Sequence, residues 1–169
     1  YERNPIYRKF TELPGIRHEK LSRLEEIPFL PITLFKSFEI TCYPGQNHPL
    51  EFKSSGTGGS RSRHLVYDTA LYKQSVLEGF EDRYGDPAGY VFLCLLPSYL
   101  ERGDSSLVSM MQILIEKAPD PDHGFFLDQT DALLERAASA SGRGKKVFLI
   151  GVTYALLDLA EKQPGLPAG

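Results

Sequence analysis

Between two apolar-alternating segments, Leu50–Lys53 and His64–Tyr67, the chain carries Ser54-Ser55-Gly56-Thr57-Gly58-Gly59-Ser60. A strand–loop–strand of this composition can turn several backbone N–H groups toward one point and add Ser and Thr hydroxyls there. That geometry is an anion nest suited to the phosphates of a nucleotide. Glycine is needed because it reaches φ > 0 and lets the backbone come close to a ligand. The competing reading is a plain hairpin loop, since Gly and Ser are ordinary turn residues. Two better-known phosphate loops are excluded. No lysine follows these glycines, as a P-loop requires. The dinucleotide fingerprint fails because Arg61 stands three residues after Gly58. A phosphate loop here would use hydroxyls, amides and Arg61 or Arg63, whose guanidinium can clamp a phosphate bidentately. A solvated charge is the equally simple reading of either arginine.

The elements that must position this loop read as two regions. Over residues 1–49, Ile16 to Leu24 is a short helical candidate, Pro28-Phe29-Leu30-Pro31 is extended, and Phe38 to Tyr43 alternates like a strand. From residue 50 to 162 the pattern is repeated β–α. Asp68 is placed to cap a helix from Thr69 to about Tyr84, with Leu71, Val76, Leu77 and Phe80 as its apolar stripe. Gly85-Asp86-Pro87 ends it. Tyr90 to Leu96 is a continuous apolar run, as expected of an interior parallel strand. Ser105 or Asp104 caps a second helix whose Leu107, Met110, Met111, Leu114 and Ile115 fall on one face. Gly124–Leu127 is a short strand, Asp131–Ser141 a small helix, Val147–Ile150 an interior strand, and Thr153 to Lys162 a last helix. The basic run Ser141–Lys146 reads as a solvated turn, since it precedes a strand and so sits at the wrong end of the sheet. The fold class is therefore α/β, a largely parallel sheet with flanking helices. Ligands of such sheets bind beyond the strands' carboxyl ends, which here lead into Pro97–Ser106 and Gly151–Tyr154.

Composition bounds the rest. The 169 residues suffice for one domain, and 41% hydrophobic with 24% charged residues is ordinary for a globular chain. A net charge of −3 gives no electrostatic footprint for nucleic acid. No apolar stretch approaches the roughly 20 residues of a membrane span. Cys42 and Cys94 lack metal-ligand spacing; Cys94 reads as a buried thiol, and low cysteine use fits a reducing cytoplasm. The start at Tyr1 and the linker-like tail over residues 163–169 read as part of a longer protein.

The loop, preceded by Phe52-Lys53, resembles the phosphate loop of adenylate-forming enzymes, Ser/Thr-Ser-Gly-Thr-Thr-Gly. Leu96-Pro97-Ser98-Tyr99-Leu100-Glu101-Arg102-Gly103-Asp104-Ser105-Ser106-Leu107 and Leu149-Ile150-Gly151-Val152-Thr153-Tyr154-Ala155-Leu156-Leu157-Asp158 narrow the resemblance. With Pro28–Pro31 and Leu34-Phe35-Lys36, they look like the long-chain acyl-protein synthetase (LuxE) family, related to phenylacetate–CoA ligases. The resemblance spans most of residues 25–162 and implies the N-terminal part of the large domain of an adenylate-forming enzyme. It implies an acid–thiol ligase that uses ATP and Mg2+. A long-chain fatty acid or other carboxylic acid becomes an acyl-adenylate, and the acyl group then passes to a protein cysteine. In bioluminescence systems the partner is an acyl-reductase or acyl-transfer protein. By position, Ser54, Ser55, Gly56, Thr57 and Gly59 carry over as the phosphate loop. Ser98, Tyr99, Arg102, Gly151 and Thr153 are candidates for an acyl or adenylate pocket. Gly58 stands where the family has its second threonine. The family's magnesium-binding glutamate motif, its ribose-binding acid and its catalytic lysine have no match here, so residues 1–169 alone are expected to be inactive. The alternatives are a phenylacetate-type ligase that uses free CoA, and a non-catalytic binding module of the same fold.

Overall fold

A computed structural model describes residues 2–13, 16–54, 60–97 and 103–162. The chain divides into two compact units, Tyr1–Thr69 and Ala70–Gly169.

The first unit holds short helices and one hairpin. Helix α1 (Pro5–Glu12) starts where Asn4 Oδ1 accepts from the Tyr7 amide at 2.9 Å, with Pro5 in the first turn. The Tyr7 hydroxyl donates to the Pro28 carbonyl at 2.8 Å and anchors the extended Pro28–Pro31 segment. No α-helix forms over Ile16–Leu24; two 3-10 turns stand at His18–Lys20 and Leu24–Glu26. Glu26 Oε2 accepts from the Ser22 amide at 2.8 Å and the Arg23 amide at 3.4 Å, and this local bonding displaces a helical ladder. Helix α2 (Leu34–Ser37) follows. The strand expected over Phe38–Tyr43 is absent. Thr41 Oγ1 accepts from the Tyr43 amide at 2.9 Å, and Tyr43 O accepts from the Gln46 amide at 3.2 Å, so the donors serve a local turn. Strands β1 (Leu50–Lys53) and β2 (Arg63–Val66) then pair antiparallel, Leu50 opposite Val66 and Lys53 opposite Arg63.

The second unit is a three-layer α/β fold. Helix α3 (Thr69–Tyr84) ends at Gly85, whose φ of +83° favours glycine. Strands β3 (Tyr90–Leu95), β4 (Gly124–Phe125) and β5 (Lys146–Gly151) form a parallel sheet in the order β4-β3-β5. Helix α4 (Ser106–Lys117) joins β3 to β4, α5 (Thr130–Gly142) joins β4 to β5, and α6 (Thr153–Glu161) follows β5. Alternation along β3 divides its side chains between two helical layers. Phe92 and Cys94 pack with Phe80 of α3 and Val108, Met111 and Leu114 of α4. Val91, Leu93 and Leu95 pack with Leu133, Ala137 and Ala140 of α5 and Leu159 of α6. Burying both faces explains why β3 reads as an unbroken apolar run.

Three expectations need correction here. Leu71 is 61% exposed and does not belong to the buried stripe of α3. Met110 likewise faces outward, while Met111 is core. Among the described strands β5 pairs only with β3 and is an outer strand. Its apolar run records the helical layers packed on both of its faces. Among the described residues, no helix is long and apolar enough to cross a membrane.

Candidate functional site

The hairpin fixes both ends of the Gly/Ser loop. The Ser54 amide donates to the Ser62 carbonyl at 3.1 Å, and the Ser62 amide donates to Ser54 Oγ at 3.0 Å. Arg61 Nε adds a bond to the Ser54 carbonyl. With its oxygen already accepting from an amide, the Ser54 hydroxyl keeps its own proton for donation. Ser62 is buried, and its Oγ lies 3.4 Å from His64 Nε2. The His64 ring stacks on Phe35 of α2 with centroids 4.8 Å apart, which ties the loop base to the unit's helical part. Of the family-like phosphate loop, Ser54 lies at this base. Ser55, Gly56, Thr57 and Gly59 lie outside the described residues, as does Gly58.

Arg63, the other candidate clamp, is committed elsewhere. Its Nε and Nη2 fork onto the two Glu51 carboxylate oxygens at 2.9 and 3.0 Å. That fork holds the Glu51 carboxyl down at about 2, despite the opposing effect of burial. Arg63 thus braces the hairpin, which leaves Arg61 as the arginine bonded at the loop itself.

In the second unit the carboxyl edge holds Gly151, the last residue of β5, and Thr153, the first of α6, with Val152 between them. Gly151 sits opposite Leu95. A Cβ on Gly151 would lie 2.8 Å from Leu95 Cβ and 3.3 Å from Leu156 Cγ, so close packing demands a glycine. Ser98, Tyr99 and Arg102 lie outside the described residues. The β4-β3-β5 order places this edge at a switch point. The connection after β3 leaves toward α4 on one face, and that after β5 leaves toward α6 on the other. Adjacent strands that diverge this way open a crevice in parallel sheets.

The basic run Ser141–Lys146 is largely exposed, as a solvated turn should be, yet two of its side chains are tied down. Arg143 Nη1 and Nη2 bond the Asp120 carboxylate at 2.9 and 2.6 Å, and Nη2 also reaches Asp122 Oδ2 at 2.7 Å. Arg136 Nη1 bonds Asp122 Oδ1 at 3.1 Å, and Lys145 Nζ bonds the Ala88 carbonyl. The hydrogen bond from Arg143 holds the Asp120 carboxyl at about 2, and a bond from Ser139 leads the causes that lower Asp122. Beside them His123 Nδ1 accepts from the Phe92 amide at 2.9 Å while Nε2 donates to the Ala118 carbonyl, which fixes one tautomer. These groups precede β3, β4 and β5, so the network braces the amino end of the sheet. The sequence signal was the pair of aspartates flanking Pro121, about 20 residues before Arg143, a spacing that identifies partners only once the fold is known.

The remaining candidates are inert or unassigned. Burial pushes the Cys94 thiol up to about 12, which leaves it protonated and unreactive, while Cys42 is exposed. Among the described residues no three His, Cys, Asp or Glu side chains converge where a metal could bind. They therefore offer no protein cage for the expected magnesium. An apolar cleft of about 230 Å3 between α1 and α2 is lined by Ile6, Phe10, Leu13, Leu34 and Phe38, with Lys9 at its side. Comparison with known proteins gave no match to this chain, whether among family models, curated proteins or solved structures.

Proposed function

We propose that this chain is the N-terminal part of an ATP-dependent acyl-protein synthetase. A long-chain carboxylate attacks the α-phosphorus of ATP, forming acyl-adenylate and releasing pyrophosphate. A protein cysteine thiolate then takes the acyl group as a thioester and AMP departs. The loop from Ser54 to Ser60 holds the β- and γ-phosphates with amides and hydroxyls during the first step. Binding there acts through positioning and charge stabilisation as the pyrophosphate leaves.

The observation supporting this reading most is the base of the hairpin. Paired Ser54–Ser62 bonds and the Arg61 bond fix the two ends from which a glycine-rich loop springs. Fixed ends lower the entropic cost of holding an anion between them. The test is fatty-acid-dependent exchange of labelled pyrophosphate into ATP by the complete gene product. Thr57→Ala should lower exchange about 5- to 150-fold, the equivalent of about 1–3 kcal/mol for a lost bond to a charged group. Exchange unchanged by Thr57→Ala would reduce the loop to a hairpin turn.

A further inference from the structure

Strand β5 presents a contradiction. Val147, Phe148, Leu149 and Ile150 send apolar side chains into both helical layers, yet all four are only half-buried. Among the described strands, β5 is hydrogen-bonded on one edge alone, to β3. A parallel strand apolar on both faces belongs inside a sheet. An open edge of this kind is a template for one more strand.

Handedness identifies what belongs there. From β3 through α4 to β4 the chain moves one way, with α4 on one face. From β4 through α5 to β5 it moves back across β3, with α5 on the other face. Direction and face reverse together, so both crossovers share one hand, as the right-handed rule requires. Helix α6 then leaves β5 and packs on the α5 face, around Leu159. A crossover of the same hand over the same face continues in the same direction. A strand that followed α6 would therefore fall beside β5, on the edge away from β3.

We propose that the outer edge of β5 docks a further parallel strand supplied by the polypeptide that follows α6 in the gene product. The sequence of residues 163–169 lacks the composition of such a strand, because Pro164 and Pro167 cannot donate to a ladder and Gly165 and Gly169 weaken one. The docked strand is apolar on both sides, four to six residues of β-branched or aromatic type by the requirement of covering Phe148 and Ile150 on one face and Val147 and Leu149 on the other. The proposal rests on the preceding reading only in requiring polypeptide beyond Gly169.

The test is residue-resolved hydrogen exchange on the complete gene product at several concentrations. In a parallel pair, alternate amides of β5 point away from β3. Those outward amides should be protected as strongly as the inward ones, by about 100-fold or more over an unstructured chain, at every concentration. Outward amides that exchange at the unstructured rate would overturn the proposal. So would protection that appears only as concentration rises, the mark of a second copy on the edge, or a coding sequence that stops at the tail. Protection without carboxylate-dependent pyrophosphate exchange would support the docked strand while refuting the ligase.

Discussion

Replacing Gly151 with alanine should destabilise the second unit although the backbone tolerates the change. The added Cβ would meet Leu95 Cβ at 2.8 Å, Leu95 O at 3.2 Å and Leu156 Cγ at 3.3 Å. Carbon atoms rest at about 3.5–4.0 Å, so β3 or β5 must yield by about 0.7 Å or more. Neither atom of Leu95 is the end of a flexible side chain, and Leu95 is itself buried. Overpacking of this kind costs about 1–3 kcal/mol. For a unit of this size that lowers the melting temperature by about 4–8 °C per kcal/mol. Gly79→Ala is the matched control, since Gly79 is exposed on α3 and a Cβ there meets nothing within 4 Å. Relief of glycine's entropy cost in a helix should stabilise that variant by about 0.5–1 kcal/mol. Urea denaturation measures both, and unchanged slopes would confirm that stability alone has moved. A Gly151→Ala variant as stable as the parent would refute the packing argument. A Gly79→Ala variant that loses as much would show the assay reads something other than the clash.

Acid should weaken the second unit through Asp120, whose carboxyl is held at about 2 against an ordinary 3.8. A depressed carboxylate adds stability above its unfolded pKa and loses it as pH falls through the folded one, so the melting temperature should drop from about pH 4 toward pH 2. In Arg143→Met the melting temperature at neutral pH should fall and this acid slope should flatten; a slope unchanged from the parent would exclude Arg143 as its cause. Leu133→Ala removes a fully buried side chain packed against β3 and should cost about 2–5 kcal/mol in urea denaturation. With a thiol reagent under native conditions, Cys42 should react and Cys94 should wait for unfolding, and two equally fast thiols would contradict the burial of Cys94.

How legible each element was depended on how local its cause is. Helix α3 and its stop at Gly85 were readable because the apolar spacing and the positive-φ glycine lie within the segment itself. Strand β3 was readable because both faces are buried, which removes alternation. Phe38–Tyr43 misled because its alternation is real, yet a strand also needs a partner, and Thr41 turned the Tyr43 amide inward. Ile16–Leu24 misled because Glu26 outcompetes the helix for the amides of Ser22 and Arg23. The place of β5 at the end of the described strand order and the Asp120–Asp122–Arg143 network depend on strand order, which no local window contains. Within the candidate site, the hairpin flanking the loop was legible from alternation alone. The bracing of Arg63 on Glu51 and the packing need at Gly151 were not, because each rests on a residue across a strand pair.

An adenylate-forming ligase leaves one oxygen of its carboxylic acid substrate on AMP. The complete gene product should be incubated with ATP, magnesium and a long-chain fatty acid carrying oxygen-18 in its carboxyl group, and the nucleotide product analysed by mass spectrometry. Acyl-adenylate formation followed by transfer to a thiol leaves one carboxylate oxygen on the phosphorus, so AMP should carry a single heavy oxygen. Unlabelled AMP, or ADP with the label in inorganic phosphate, would contradict the proposal that this chain belongs to an adenylate-forming ligase.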